Sequence, residues 1–105
     1  MASSDSMSTT KISKMVLEIV GDHLGRPAPT LSLSNNIVED LGADSLDKME
    51  LIMTVEELFS IEISDEVAAT IQTIEHVVRA VARAGLSAGQ VDTARRTWKI
   101  ASRGE

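Results

Sequence analysis

Apolar residues recur every three or four positions near the start of the chain, and this spacing restricts the segment to a helix. The residues that share the stripe are Ile12, Met15, Val16, Ile19, Val20 and Leu24. A strand would need strict alternation instead, and no alternating run of useful length occurs in the sequence. We therefore predict a first helix from about Lys11 to Leu24. It ends before Gly25, because glycine suits the left-handed position that follows a helix.

Three further helices are predicted downstream, each after a residue that can cap a helix N-terminus. Between the first and second helices, residues 26–36 have no clean period and hold two prolines and two asparagines, so they form a long loop. The fold class is therefore all-α, a small four-helix bundle of three longer helices and one short helix. The three downstream segments and their caps are Ser45–Phe59 after Asp44, 65–71 after Ser64 and 74–84 after Thr73.

Size and composition limit the chain to one small domain without disulfides. It has 105 residues, only Phe59 and Trp98 are aromatic, and cysteine is absent, so no disulfide or thiolate metal site is possible. No acidic loop has the alternating oxygen ligands of a calcium site, so we expect no metal site. No apolar run approaches the ~20 residues of a membrane span. The first residues lack the basic start and apolar stretch of a secretory signal, so we expect a cytoplasmic location.

The formal charge of −6 is concentrated in the middle of the chain. Residues 35–75, here called the acidic segment, hold eleven acidic residues against the single base Lys48, a net charge of −10. Such a charge argues against nucleic acid as a partner, because that binding rests on basic contacts to phosphates. It favours a basic protein surface, unless the acids only keep the segment solvated.

The predicted second helix carries two apolar stripes, although a bundle core needs only one. The stripe that suits the core contains Leu51, Ile52, Val55, Leu58 and Phe59. The second stripe and the acids beside it are Leu46, Met49, Met53, Glu50, Glu56 and Glu57. Methionine adapts its shape easily, so a stripe bordered by carboxylates suits docking to basic partners. The alternative is that this stripe packs against the long loop or the C-terminal tail.

Ser45 stands at the predicted start of that helix, just after the turn that contains Gly42. A nucleophilic serine needs an oriented histidine within hydrogen-bond reach. His23 and His76 are both distant from it in sequence, so we predict no catalytic residue and no enzyme activity. Ser45 is then either a capping serine or a point of attachment, since the positive end of a helix favours an attached phosphodiester.

The sequence around Ser45 resembles the prosthetic-group site of acyl carrier proteins of the freestanding type that serves fatty-acid synthesis. The resemblance rests on Val38-Glu39-Asp40-Leu41-Gly42-Ala43-Asp44-Ser45-Leu46-Asp47 and extends through the Glu56-Glu57 pair and residues 61–66. It covers about Ile12 to Ala84. The resemblance implies the acyl-carrier bundle, phosphopantetheine attached covalently to Ser45, and acyl chains carried on that arm as thioesters.

The resemblance also implies the partners. These are a phosphopantetheinyl transferase and acyl-processing enzymes with basic docking surfaces, and the carrier is expected to be a monomer. The implied partner-binding residues are Asp44, Leu46, Asp47, Met49, Glu50, Met53, Glu56 and Glu57. The alternatives are a peptidyl or polyketide carrier, and an interaction module without a prosthetic group.

The tail after Gly85 departs from the compact carriers. Residues 86–105 hold four basic and two acidic residues, and their apolar residues show only a weak helical spacing around Trp98. We predict either a weak helix or a disordered end, and a docked helix would lay Trp98 over Met49 and Met53. The predicted division is a disordered segment 1–10, a carrier domain 11–85 and a basic extension 86–105, which is dispensable for the carrier reaction.

Overall fold

Five α-helices account for most of residues 3–103, whose backbone the computed structural model describes; side chains are described for residues 10–100. The helices are α1 (Ser3–Leu24), α2 (Ser45–Phe59), α3 (Asp65–Thr70), α4 (Ile74–Arg83) and α5 (Ala88–Arg103). A short 3-10 turn, Ala28–Thr30, interrupts the loop between α1 and α2, and residues 3–103 form no β-strand. The predicted all-α class, with three longer helices and one short helix before the tail, is confirmed.

The predicted caps begin α2, α3 and α4. The Asp44 carboxylate accepts a hydrogen bond from the Asp47 N–H at 2.8 Å, and the Asp47 carboxylate accepts one from the Asp44 N–H at 3.3 Å. Ser64 and Thr73 accept the corresponding bonds at the starts of α3 and α4. Because each cap satisfies an N–H group that would otherwise be unpaired, the short polar residues fix where the helices start.

The first helix begins earlier than predicted. The prediction placed its start at about Lys11, because the apolar stripe begins at Ile12, but α1 starts at Ser3. The segment 1–10, predicted to be disordered, is therefore helical from Ser3 onward, and residues 1 and 2 lie outside the described residues. A polar extension of a helix has no apolar period, which is why the pattern did not reveal it.

The core is built from the apolar faces of the longer helices. All buried side chains among residues 10–100 are apolar, and Phe59 is the largest of those that are fully buried. The long loop joins this core through Ile37, which is fully buried and whose N–H donates to the Gln72 carbonyl at 2.8 Å. The loop carbonyls of Leu33 and Asn35 accept N–H groups from the first turn of α4. The loop therefore spans the bundle in a fixed position and delivers the chain to the start of α2.

The C-terminal tail forms α5, which packs against α1 and α2. Val91 and Ala94 are buried, and Trp98 is only 9% exposed. The indole Nε1 of Trp98 donates to Glu18 Oε1 on α1 at 3.2 Å. The predicted placement of Trp98 over the Met49–Met53 stripe is wrong, because the ring packs against α1 instead. The tail is also not a disordered end, since burial of its apolar face stabilises the helix.

The acidic segment should make the fold sensitive to salt. Of its eleven acids, only Glu50 and Glu75 take part in the ion pairs described for residues 10–100, with His23 and Arg79 respectively. Carboxylates three and four residues apart repel one another. Because mobile ions screen this repulsion, the melting temperature should rise from low to moderate NaCl, and further with Mg²⁺ at equal ionic strength. Circular dichroism melts test this, and a flat or falling melting temperature would show that the repulsion does not limit stability.

Candidate functional site

Ser45 is the first residue of α2 and is exposed to solvent. The turn before it is fixed on both sides of Gly42, whose φ of 78° lies in the left-handed region that favours glycine. Leu41 and Ala43 are buried, and the Ala43 N–H donates to the Ile37 carbonyl at 3.2 Å. A rigid turn therefore presents an exposed serine at the end of a helix.

The capping role at this helix belongs to Asp44 and not to Ser45. Asp44 and Asp47 form a reciprocal capping box. No side-chain hydrogen bond of Ser45 is found within residues 10–100, so its hydroxyl remains available for chemistry. The interpretation of Ser45 as a simple capping serine therefore fails. The first-turn N–H groups of α2 also favour an anion at this position.

A surface cavity of about 360 Å³ opens beside Ser45, between α2 and α3. Its apolar lining comes from Val38, Met49, Ile52, Ala68 and Ala69, and its polar members besides Ser45 are Lys48 and Asp65. The alanines of α3 are small and uncharged, so an apolar chain attached at the serine could enter here without displacing a polar group.

The second apolar stripe of α2 is uncovered. Leu46 and Met49 are each 61% exposed and Met53 is 54% exposed, so neither the loop nor the tail packs over them. The neighbouring acids Glu50 and Glu57 are also exposed. Exposed apolar side chains rimmed by carboxylates form a surface suited to a basic protein partner. We call this surface the docking face; its exposed members are Asp44, Leu46, Met49, Glu50, Met53 and Glu57.

Two other acids predicted to contact partners also hold the fold together. Asp47 completes the capping box, as described above. Glu56 is half-buried, and its Oε2 accepts the Ile63 N–H at 2.7 Å, which ties the connection between α2 and α3 to α2. Sequence reasoning missed this bond because it joins residues seven positions apart across a turn, where no periodic pattern applies.

The structure brings His23 to the Ser45 end of α2, which the sequence did not predict. His23 Nε2 lies 3.6 Å from Glu50 Oε1, and donor atoms of His23, Asp47 and Glu50 all lie within 4.8 Å of one another. One imidazole and two carboxylates are possible ligands of a divalent cation. Asp47 is already engaged in the capping box, however, and Glu50 is exposed. We therefore interpret the cluster as a contact between α1 and α2 and not as a metal site.

Neither histidine activates Ser45. His76 lies at the start of α4, where its Nδ1 accepts the N–H groups of Gln72 and Thr73. Within residues 10–100, His23 makes no hydrogen bond to the serine hydroxyl. Without a base in hydrogen-bond contact, the serine lacks the arrangement that nucleophilic catalysis requires.

These features are typical of one class of protein, the small helical carrier domains, in which an exposed serine stands at the start of a helix. The family described as "Phosphopantetheine attachment site" matches residues 14–81. The chain is also 44% identical over 73 residues to the acyl carrier protein of Sinorhizobium fredii (strain NBRC 101917 / NGR234) and to acyl carrier protein AcpP of Rhizobium meliloti (strain 1021). Each match covers 70% of this chain and 94% of the relative. The chain belongs to the acyl carrier protein family.

Membership of this family confirms the predicted function class, which is a carrier and not an enzyme. It also confirms phosphopantetheine as the covalent prosthetic group. The residues fit that group, since an exposed hydroxyl with no hydrogen bond to the described residues lies at a helix N-terminus, beside a cavity lined mainly by apolar side chains. The match from residue 14 to residue 81 ends before α5, which is therefore an addition to the matched fold.

Proposed function

We propose that Ser45 is the attachment residue and that the chain delivers acyl groups to enzymes of fatty-acid or related lipid synthesis. The observation that carries the proposal is the division of roles at the start of α2. Asp44 caps the helix, and the adjacent Ser45 hydroxyl is exposed and makes no hydrogen bond to any of residues 10–100. The bound group supplies a thiol on which acyl chains are held as thioesters.

The activation of Ser45 falls to the modifying enzyme. Ser45 Oγ forms a bond to phosphorus as the pyrophosphate bond of coenzyme A breaks and the nucleotide leaves. The hydroxyl proton must pass to the transferase, because no base of this chain is hydrogen-bonded to it within residues 10–100. A phosphodiester on Ser45 would be favoured by the positive end of α2, while Asp44 and Asp47 would oppose it electrostatically. These acids are better suited to contact a basic partner.

The cavity between α2 and α3 supports a role in holding cargo. Its apolar walls, formed in part by Ile52 and Ala68, lie next to Ser45, and its volume of about 360 Å³ suits part of an aliphatic chain. Burial there would remove the chain from water, which is favourable by ~25 cal/mol for each Å² of apolar surface. Peptidyl cargo is less suited to a lining with few polar groups.

We further propose that the transferase and acyl-processing enzymes with basic surfaces bind the docking face. Its charge supports this proposal, because the acidic segment has a net charge of −10. A cytoplasmic location and a monomeric state remain predictions. The division of the chain at residues 10 and 85 also remains a prediction.

Reversal of two docking-face charges should slow the modification. Glu50→Lys/Glu57→Lys changes two exposed acids and leaves the structural bond of Glu56 intact. Each exposed ion pair with the partner contributes at most ~1 kcal/mol, so loss of both pairs should raise KM for the transferase by up to about thirtyfold, with little change in kcat. The effect should shrink in high salt. Steady-state kinetics of arm transfer measure it.

A matched control for this test is Asp22→Lys, which reverses an exposed acid on α1. Its KM should stay close to that of the parent protein. Recognition through the docking face would be excluded by either of two results at low salt. The KM of the double variant could equal that of the parent protein, or the control could show the same rise in KM.

The direct test of the carrier proposal is mass spectrometry of the full chain after incubation with a phosphopantetheinyl transferase and coenzyme A. We expect a single addition of the phosphopantetheine mass, and peptide mapping should place it on Ser45. An unmodified chain would instead indicate an interaction module without a prosthetic group.

A further inference from the structure

The outward side of α5 forms a basic surface together with α1. A small cavity of about 120 Å³ lies between the two helices, with Met15, Glu18 and Trp98 in its wall. Four basic side chains converge on it, two from each helix, although the protein as a whole has a net charge of −6. We call this cavity the basic cleft; its cations are Lys11, Lys14, Arg95 and Lys99.

Among residues 10–100, the acids described beside the basic cleft are fewer than its bases. Asp92 Oδ1 lies 3.6 Å from Lys11 Nζ, and Glu18 accepts the indole N–H of Trp98. Among residues 10–100, these two carboxylates lie beside the four bases of the cleft, and Glu18 also binds the neutral indole N–H. If α5 served only to complete the core, its buried face of Val91, Ala94 and Trp98 would be sufficient. The positive side of α5 therefore calls for a separate explanation.

The exposed side of α5 adds an apolar group next to these bases. Ile100 is 73% exposed, more than any other large apolar side chain described. Arg96 is exposed and lies four residues before it, so the two share one side of the helix. An exposed helix with bases beside an apolar side chain suits a membrane surface, because the bases reach the phosphates while the apolar group enters the layer below.

We propose that the basic cleft binds the phosphate groups of anionic phospholipids, so that the carrier docks on a membrane surface through α5 and the adjacent part of α1. Lysine and arginine side chains supply several N–H donors each, which is the chemistry that recognises a phosphate. None of the helices in residues 3–103 has the length and apolar character needed to cross a bilayer, so this contact is peripheral. It is electrostatic and weakens as salt is added.

The proposed contact leaves the carrier site open. The cavity beside Ser45 is lined by residues from 38 to 69, none of which belongs to α1 or α5. The acidic segment would be repelled by the same lipids that attract the basic cleft, so the protein should bind in one orientation. An acyl carrier held in this way would present its cargo close to a membrane while enzymes still reach Ser45.

Vesicle co-sedimentation with the full chain tests the proposal. At low salt the protein should bind vesicles of phosphatidylcholine mixed with phosphatidylglycerol and not vesicles of phosphatidylcholine alone. Arg95→Glu/Lys99→Glu should lower the partition coefficient at least about tenfold, because each basic residue near an anionic surface contributes about 1 kcal/mol. Arg95→Gln/Lys99→Gln should lose less, and it provides a milder change if the reversal disturbs folding. Ser45→Ala should bind like the parent protein, which separates this proposal from the carrier proposal.

The matched control is Arg79→Glu/Arg83→Glu, which makes the same change of charge on α4. It should bind nearly as well as the parent protein, and melting curves should show all variants folded. The proposal is overturned if the parent protein binds no vesicles, if it binds both compositions equally, or if the control loses as much binding as the cleft variant. Inorganic phosphate that displaces the protein far better than chloride at equal ionic strength would assign the cleft to a soluble phosphate compound instead.

Discussion

Ser45→Ala should fold like the parent protein and never gain the mass of phosphopantetheine. Ser45 is exposed, its hydroxyl has no hydrogen bond within residues 10–100, and Asp44 already caps the helix. Alanine is a good helix former, so the substitution should change the free energy of unfolding by less than ~0.5 kcal/mol. The loss of modification should nevertheless be complete, because no other atom at that position can form the phosphodiester. Intact-mass spectrometry after treatment with transferase and coenzyme A measures the outcome.

A second exposed serine, which directly follows the same helix, serves as the control for this experiment. Ser60 is exposed and ends α2 with a φ of 57°, in the left-handed region where glycine is well tolerated. Ser60→Gly should therefore fold and be modified to the same extent as the parent protein. Modification of Ser45→Ala, or its loss in Ser60→Gly, would contradict the assignment of Ser45.

The features of the site that could be predicted from the sequence are local ones. Asp44 and Thr73 were recognisable as caps because a capping residue acts on N–H groups two or three positions away. The second stripe on α2 was visible because helical periodicity assigns each residue to a side of the helix. The exposure of this stripe could not be predicted, because the sequence allowed the loop or the tail to cover it. In the structure, α5 packs against α1 and α2 without covering Met49 or Met53.

The features that escaped prediction depend on contacts between distant parts of the chain. His23 and Glu50 are 27 positions apart, and their contact follows from the way α1 and α2 cross. The bond from Trp98 to Glu18 spans 80 positions. The weak apolar spacing of residues 88–103 contains too little information to distinguish a packed helix from a frayed end, because its stability comes from the surface it covers. Tertiary packing therefore decided the state of the tail.

Removal of the tail should destabilise the bundle, although the tail is predicted from sequence to be dispensable for the carrier reaction. Among residues 87–100, truncation after Leu86 deletes three buried side chains, and it exposes the apolar surface beneath them, including Met15 beside Trp98. Burial of one large apolar side chain contributes about 1.5–3 kcal/mol. With 4–8 °C of melting temperature per kcal/mol in a domain of this size, the truncated protein should melt more than about 10 °C lower. It should still accept the arm below its melting temperature, because the cavity between α2 and the start of α5 lies at Phe59, the end of α2 opposite Ser45.

Trp98 isolates the contribution of α5, since it is the single tryptophan of the chain. Trp98→Ala should cost about 3–5 kcal/mol, as for other large aromatic side chains removed from a core. Ile100→Ala, on the same helix but at an exposed position, should leave the melting temperature nearly unchanged. In the parent protein Trp98 emission should be blue-shifted and should move to longer wavelength at the temperature where helix content is lost. If the curves of Trp98 fluorescence and helix content against temperature coincide, α5 unfolds together with the rest of the bundle and belongs to the same cooperative unit. A solvent-like emission before the transition would instead mean that α5 detaches from a bundle that remains folded without it.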